Sequence, residues 1–133
     1  RFIMQRQRAA LENALQLPVA VEGCTDLATR GLKFSGNAQR RKRRFFLFHG
    51  TFLLNFDLPL LSRVLRPPPK QPAYRRNRAH ADFLRNLNVP AETVKAALRR
   101  EWQAAEPLTE WPHERALELA RGQYSSDEWN LKF

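Results

Sequence analysis

The stretch at residues 31–57, GLKFSGNAQRRKRRFFLFHGTFLLNFD, decides how this chain is read. Strand-like text flanks a run of five basic residues, Arg40-Arg41-Lys42-Arg43-Arg44, which predicts two strands, at 32–40 and 44–56, joined at a cationic hairpin tip. Strand side chains alternate faces with a period of two. In the later strand Phe46, Phe48, Gly50, Phe52, Leu54 and Phe56 share the side expected to be core, while Leu47, His49, Thr51, Leu53 and Asn55 share the other. In the earlier strand Leu32, Phe34, Gly36 and Ala38 oppose Lys33, Ser35, Asn37 and Gln39. Packing both apolar rows under the same helices demands an odd loop, such as 41–43, which sets Ser35 across from His49 and Lys33 across from Thr51. The resulting face gathers an ammonium, hydroxyls, amides and an imidazole around Gly36, Ala38 and Gly50, where small residues let a ligand approach the backbone. That is a cradle for a phosphate or a carboxylate.

Outward from the hairpin, apolar positions Ile3, Ala10, Leu11, Ala14 and Leu15 predict an amphipathic helix over 2–17, stopped by Pro18. Residues 19–28 read as a strand, and Arg30-Gly31 as a tight turn into the next. Asp57 is placed to cap a helix to about residue 65, and RPPPKQP then forces extended chain. Helices follow at 79–87, from Pro90 to about Trp102, and from Pro112 to about Tyr124, with a last turn capped by Ser125 or Ser126. Strands first and helices afterwards predict a single α+β domain with a mostly antiparallel sheet covered by helices on one face. Three strands make that sheet thin: either it is small and strongly helix-covered, or it lacks strands that lie elsewhere.

The 133 residues, 43% hydrophobic with three Trp and nine Phe, suffice for one core. A net charge of +10 admits polyanionic partners without naming one. Cys24 is the single cysteine, which excludes an internal disulfide framework and a multi-thiolate zinc site and points to a reducing, cytoplasmic setting. No apolar run approaches the roughly 20 residues of a membrane span. A metal site on His49 has no support, because His80 and His113 stand far from it in sequence without ligand spacing.

Three ordered motifs add a family. Asp26-Leu27, then KFSGNA at 33–38, then HGTFL at 49–53 with Phe52 in place of a leucine, resemble the lipoate-protein ligases within the wider group of biotin and lipoate ligases and octanoyl transferases. QYSSDEWN resembles the close of the same catalytic domain. The resemblance implies that lipoate is adenylated with ATP and magnesium and then passed to a lysine of a lipoyl-acceptor domain. It implies that Lys33 is the catalytic ammonium, that Asp26 contacts the nucleotide or its magnesium, and that Ser35, Gly36, Asn37, Ala38, His49, Gly50 and Thr51 line the adenylate. The Arg-Arg and Gly-Gly-Gly segment of the family's first half has no counterpart, since no two of the five glycines are adjacent. The chain, 1–133, therefore reads as the C-terminal half of an incomplete biotin/lipoate-ligase-like domain, either a fragment or one piece of a split enzyme whose second polypeptide supplies the other half.

Simpler readings stand beside these. The basic run is first a solvated hairpin tip, next a dock for an acidic acceptor domain, and last a nucleic-acid grip, because two of the nearby aromatics, Phe46 and Phe48, belong to the expected core row. AYRRNRAHADF is either a phosphate or acceptor contact or a loop anchored by Tyr74 and Phe83. Cys24 does not match the position of the octanoyl transferases' nucleophile and reads as a small buried residue.

Overall fold

The computed structural model describes residues 1–132. Helix α1 (Phe2–Leu15) leads into β1 (Ala20–Glu22), β2 (Asp26–Thr29), β3 (Leu32–Arg41) and β4 (Phe46–Phe52), which form an antiparallel meander in chain order. There follow α2 (Leu58–Val64), a 3₁₀ turn (Ala73–Arg75), α3 (His80–Phe83), α4 (Ala91–Glu101), α5 (His113–Leu119) running on into a π-helical turn (Ala120–Tyr124), and α6 (Asp127–Asn130). The class is α+β, as the sequence implies. None of the described helices is long and apolar enough to cross a membrane.

The local chemistry explains the boundaries. Asp57 accepts a hydrogen bond from the Leu60 amide at 2.9 Å and so caps α2, and Ser126 does the same for α6 through the Trp129 amide. Arg30 and Gly31 both take positive φ, 51° and 74°, the turn that suits a two-residue hairpin between β2 and β3. Two expectations are corrected. The strand expected at 19–28 is broken into β1 and β2, because Gly23 at φ 55° turns the chain back on itself. The helix expected at 79–87 spans only His80–Phe83, because Leu84 takes up extended backbone beside Lys33.

Helices α1 and α4 pack together over one face of the sheet. Met4 and Leu11 of α1, Val94 of α4, and Leu27 and Phe34 of the sheet make the centre of the cluster with Val19 and Leu87. An ion pair from Arg6 Nε to Glu101 Oε1, at 3.0 Å, ties the start of α1 to the end of α4. Phe52 and Phe48 of β4 pack against this core, but Phe46 is 60% exposed. The row expected to be core thus loses its cover toward the hairpin tip.

Phe34 is fully buried in that cluster. Phe34→Ala should therefore cost about 3–5 kcal/mol in urea unfolding; a loss below about 1 kcal/mol would mean that the site collapses around the void and that Phe34 does not hold the two layers together.

Candidate active site

The site begins with a counting irregularity in the β2–β3 pair. Thr29 faces Leu32 and Ala28 faces Lys33, but Leu27 faces Ser35, so β3 carries one extra residue, Phe34, between Lys33 and Ser35. Such a bulge reverses the alternation beyond it. Phe34 and Ser35 both turn inward and are buried, whereas Lys33 shares a face with Gly36.

The hairpin tip makes a second correction. The loop between β3 and β4 has four residues, Lys42 to Phe45, and pairs Ser35 with Phe52, Gly36 with Thr51, Asn37 with Gly50, and Ala38 with His49. The odd loop that would set Ser35 across from His49 and Lys33 across from Thr51 does not form. Gly36, Ala38, His49 and Thr51 accordingly lie on the face of Lys33, while Ser35, Asn37 and Gly50 lie on the core side. Asn37 Nδ2 donates to the Thr25 carbonyl at 2.8 Å and to Ser35 Oγ at 3.1 Å, so these polar groups satisfy one another there.

On the outer face, the Lys33 ammonium meets Asp26 Oδ1 at 2.8 Å, and both side chains are largely withdrawn from solvent. The Tyr74 hydroxyl donates to the other oxygen, Asp26 Oδ2, at 2.7 Å. Burial above all, then the bond to Asp26, pushes the Tyr74 phenol well above its usual range, so it remains a protonated donor. Gly36 makes room for the lysine: a Cβ there would stand 3.1 Å from Lys33 Nζ. Among the sequence-predicted residues, Asp26, Lys33 and Gly36 come together, whereas Ala38, His49 and Thr51 continue along the same face as exposed positions.

The segment after the proline run closes one side. Tyr74 packs on Phe83 with ring centroids 5.1 Å apart and planes tilted by 51°, and the buried Arg75 guanidinium lies over the Phe83 ring at 4.8 Å. Arg78 donates to the Gly31 carbonyl at 3.0 Å and to the Tyr74 carbonyl at 2.9 Å, clasping the segment to the β2–β3 turn. The cleft left between, of about 540 Å³, is lined by Asp26, Lys33, Cys24, Lys70, Gln71 and Arg75 among others. Cys24 is exposed in the turn that Gly23 makes, which corrects its expected burial. Among the described residues, no three His, Cys, Asp or Glu side chains gather as a metal site. Arg40 to Arg44 are exposed at the tip, where Arg41 to Arg44 border a second cleft of about 600 Å³ with Phe2, Met4, Phe45 and Phe46.

Arg75, which the sequence offered as a phosphate or acceptor contact, lines the cleft, whereas Tyr74, offered only as a loop anchor, reaches it through Asp26. The sequence around Tyr74 carries no signal of that bond, since its partner stands 48 positions away.

Residues 4–103 match the model of the lipoyl protein ligase A/B catalytic domain, and the chain belongs to that family. It is 32% identical over 120 residues to octanoyltransferase LipM of Geobacillus kaustophilus, with 80% of this chain and 43% of that protein covered. With LipM of Kyrpidia tusciae the identity is 37% over 120 residues, again covering 80% and 43%. The chain thus spans under half the length of these relatives. Its fold matches a T. acidophilum protein solved with bound lipoic acid, at TM-score 0.71 and 22% identity over 99% of this chain and 59% of that one. A bipartite lipoate protein ligase from Thermoplasma acidophilum, described with its E2 lipoyl domain, gives TM-score 0.71 at 24% identity over 97% and 57%. A lipoate-protein ligase A bound with ATP gives 0.68 at 25% over 97% and 58%.

The two glycines of the hairpin should part company on substitution. A Cβ on Gly50 would collide with the Asn37 side chain and lie 2.9 Å from the Gly36 carbonyl oxygen, so Gly50→Ala should lose about 1–3 kcal/mol in urea unfolding. A Cβ on Gly36 would stand 3.1 Å from Lys33 Nζ and 3.8 Å from Asp26 Oδ1, a crowding that a small shift of the lysine side chain relieves, so Gly36→Ala should unfold within about 0.5 kcal/mol of the parent while moving the Lys33 ammonium, as a crystal structure would show. Equal stability losses would contradict this division.

Proposed function

We propose that the chain is the part of an ATP-dependent lipoate-protein ligase that carries the charge-stabilising lysine, and that it activates lipoate or a related acyl acid for transfer to a lysine of a lipoyl-acceptor domain. The observation that carries this reading is the Lys33 ammonium held by Asp26 at the wall of the cleft. Attack of a carboxylate on the α-phosphate of ATP, and then of an amine on the resulting mixed anhydride, both build negative charge on oxygen. A fixed ammonium in a partly dry cleft lowers the energy of those oxygens more than water does. One of its three protons is committed to Asp26, and two remain for the reacting oxygens.

The residues present suit a nucleotide. Lys33, Lys70 and Arg75 line the cleft as cations, and the buried Gln71 Oε1, which has no partner among the described residues, supplies an acceptor for an amino group. Magnesium fits differently: both oxygens of Asp26 are engaged, by Lys33 and Tyr74, so the ion would come on the phosphates of ATP, with Asp26 reaching it only through rearrangement. Gly36, Ala38, His49 and Thr51 offer an open strip of sheet along which the adenylate lies, with Ser35, Asn37 and Gly50 holding that strip from behind. The family's ligases with lipoic acid or ATP bound, and the ligase studied with its E2 lipoyl domain, support this choice of substrates and partner. The rest of the acyl pocket belongs to sequence outside this chain, whether carried on the same polypeptide or on a second one.

The curated relatives favour a second reading, acyl transfer without adenylation. Cys24 lines the cleft and is exposed, so it is the thiol such a route would have at hand. Two substitutions in the complete enzyme separate the readings. Lys33→Ala should abolish release of pyrophosphate from ATP and lipoate while leaving the melting curve in place; turnover at the parent rate would remove Lys33 from the mechanism. Cys24→Ser should keep ligase activity within about twofold. Loss of activity, with an acyl thioester found on the parent protein by mass spectrometry, would decide for the transferase.

A further inference from the structure

We propose that Tyr74 is a positioning residue for the Lys33 ammonium, acting through Asp26. The inference rests on the acyl-transfer reading of the cleft and adds to it a residue that brings the segment after the proline run into the chemistry.

The geometry is a chain of two contacts through one carboxylate. Asp26 receives Lys33 on Oδ1 at 2.8 Å and the Tyr74 hydroxyl on Oδ2 at 2.7 Å, so its plane is fixed at both ends. Asp26 stands in β2 and Lys33 near the start of β3, and a lysine on four rotatable bonds is only as well placed as the group that holds it. Held by a free carboxylate, the ammonium would follow each rotation of Asp26. Bonded to Tyr74, the carboxylate has one orientation.

A hydroxyl suits this duty better than a second cation. An arginine or lysine in its place would compete with Lys33 for the negative charge of Asp26. The phenol donates a hydrogen bond and brings no charge, and its pKa, raised by burial and by the bond to Asp26, keeps the proton on it throughout the working range of pH. The mount is itself braced. The Tyr74 ring packs on the buried Phe83, and its carbonyl accepts from Arg78, whose guanidinium also grips Gly31 in the turn joining the strands of Asp26 and Lys33. Tyr74 is thus referenced to the same hairpin whose side chains it orients. Ring packing alone would need only a phenylalanine.

Two measurements on Tyr74→Phe test this, since the ring and its packing survive. In the complete enzyme, kcat should fall about tenfold with KM for the acyl acid and the acceptor unchanged. The same substitution in an Asp26→Asn background should cost nothing more, because the path through the carboxylate is already cut. An equal loss in both backgrounds, or no loss in either, would overturn the proposal. The second measurement needs no turnover. Acetylation by N-hydroxysuccinimidyl acetate, read by peptide mass spectrometry against Lys95, should label Lys33 several-fold faster in Tyr74→Phe than in the parent. Unchanged labelling would equally overturn it. An enzyme that transfers no acyl group in any form would fail the functional reading, and the labelling would still decide whether Tyr74 governs Lys33.

Discussion

One inserted residue governs the rest of this structure. With strict alternation from Leu32 onward, Lys33 would share a face with Ser35 and Asn37 and would point into the layer beneath α1 and α4. An ammonium there would be a buried charge without a partner, at a cost no small domain can carry. The bulge at Phe34 removes the conflict: the phenylalanine and Ser35 go inward together, and Lys33 is left on the outer face with Asp26 and Gly36. Core and cleft are thus specified by the same irregularity. Bulges recur beside active sites because they re-aim a side chain without breaking the sheet, and this one aims a lysine.

The two faces then divide the polar residues of the motif by task. Ser35 and Asn37 spend their hydrogen-bonding capacity on each other and on Thr25, and they keep the hairpin in register above Gly50. Asp26 and Lys33 spend theirs on each other at the wall of the cleft, and Gly36 leaves them room. A motif such as KFSGNA is therefore two interleaved sets, one stabilising the strand pair and one on the outer face of the sheet with Asp26. Composition alone makes them look like one.

Much of the fold could be read from residues. The apolar spacing from Ile3 to Leu15, the cap at Asp57, the start at Pro90 and the cap at Ser126 each have a local physical cause, and each forms as that cause dictates. The expected pairing across the hairpin failed where the cause was not local. A four-residue loop and an odd one fit the basic run equally well, and nothing in LKFS marks Phe34 as extra, because both Phe34 and Ser35 are at home in a core. Asp26 and Lys33 were legible as motif residues, and their meeting follows from the two-residue turn at Arg30-Gly31. Tyr74 was not legible as a member of the site, since its bond to Asp26 is made by tertiary packing alone. Cys24 misled for the opposite reason: cysteine's habit of burial is a tendency of the residue type, overridden here by the turn at Gly23.

The meander has a consequence for the order in which the molecule comes together. Each strand meets only its neighbour in the chain, so the sheet closes loops of two to four residues. The bond from Tyr74 to Asp26 closes a span of 48. Loop-closure entropy grows with the logarithm of length, which makes the longer closure about 2 kcal/mol the more demanding. The hairpins can therefore zip early, while the clasp of Tyr74 and Arg78 shuts late and, on warming, opens before the strands part. The arrangement around Lys33 is thus less durable than the sheet that bears it.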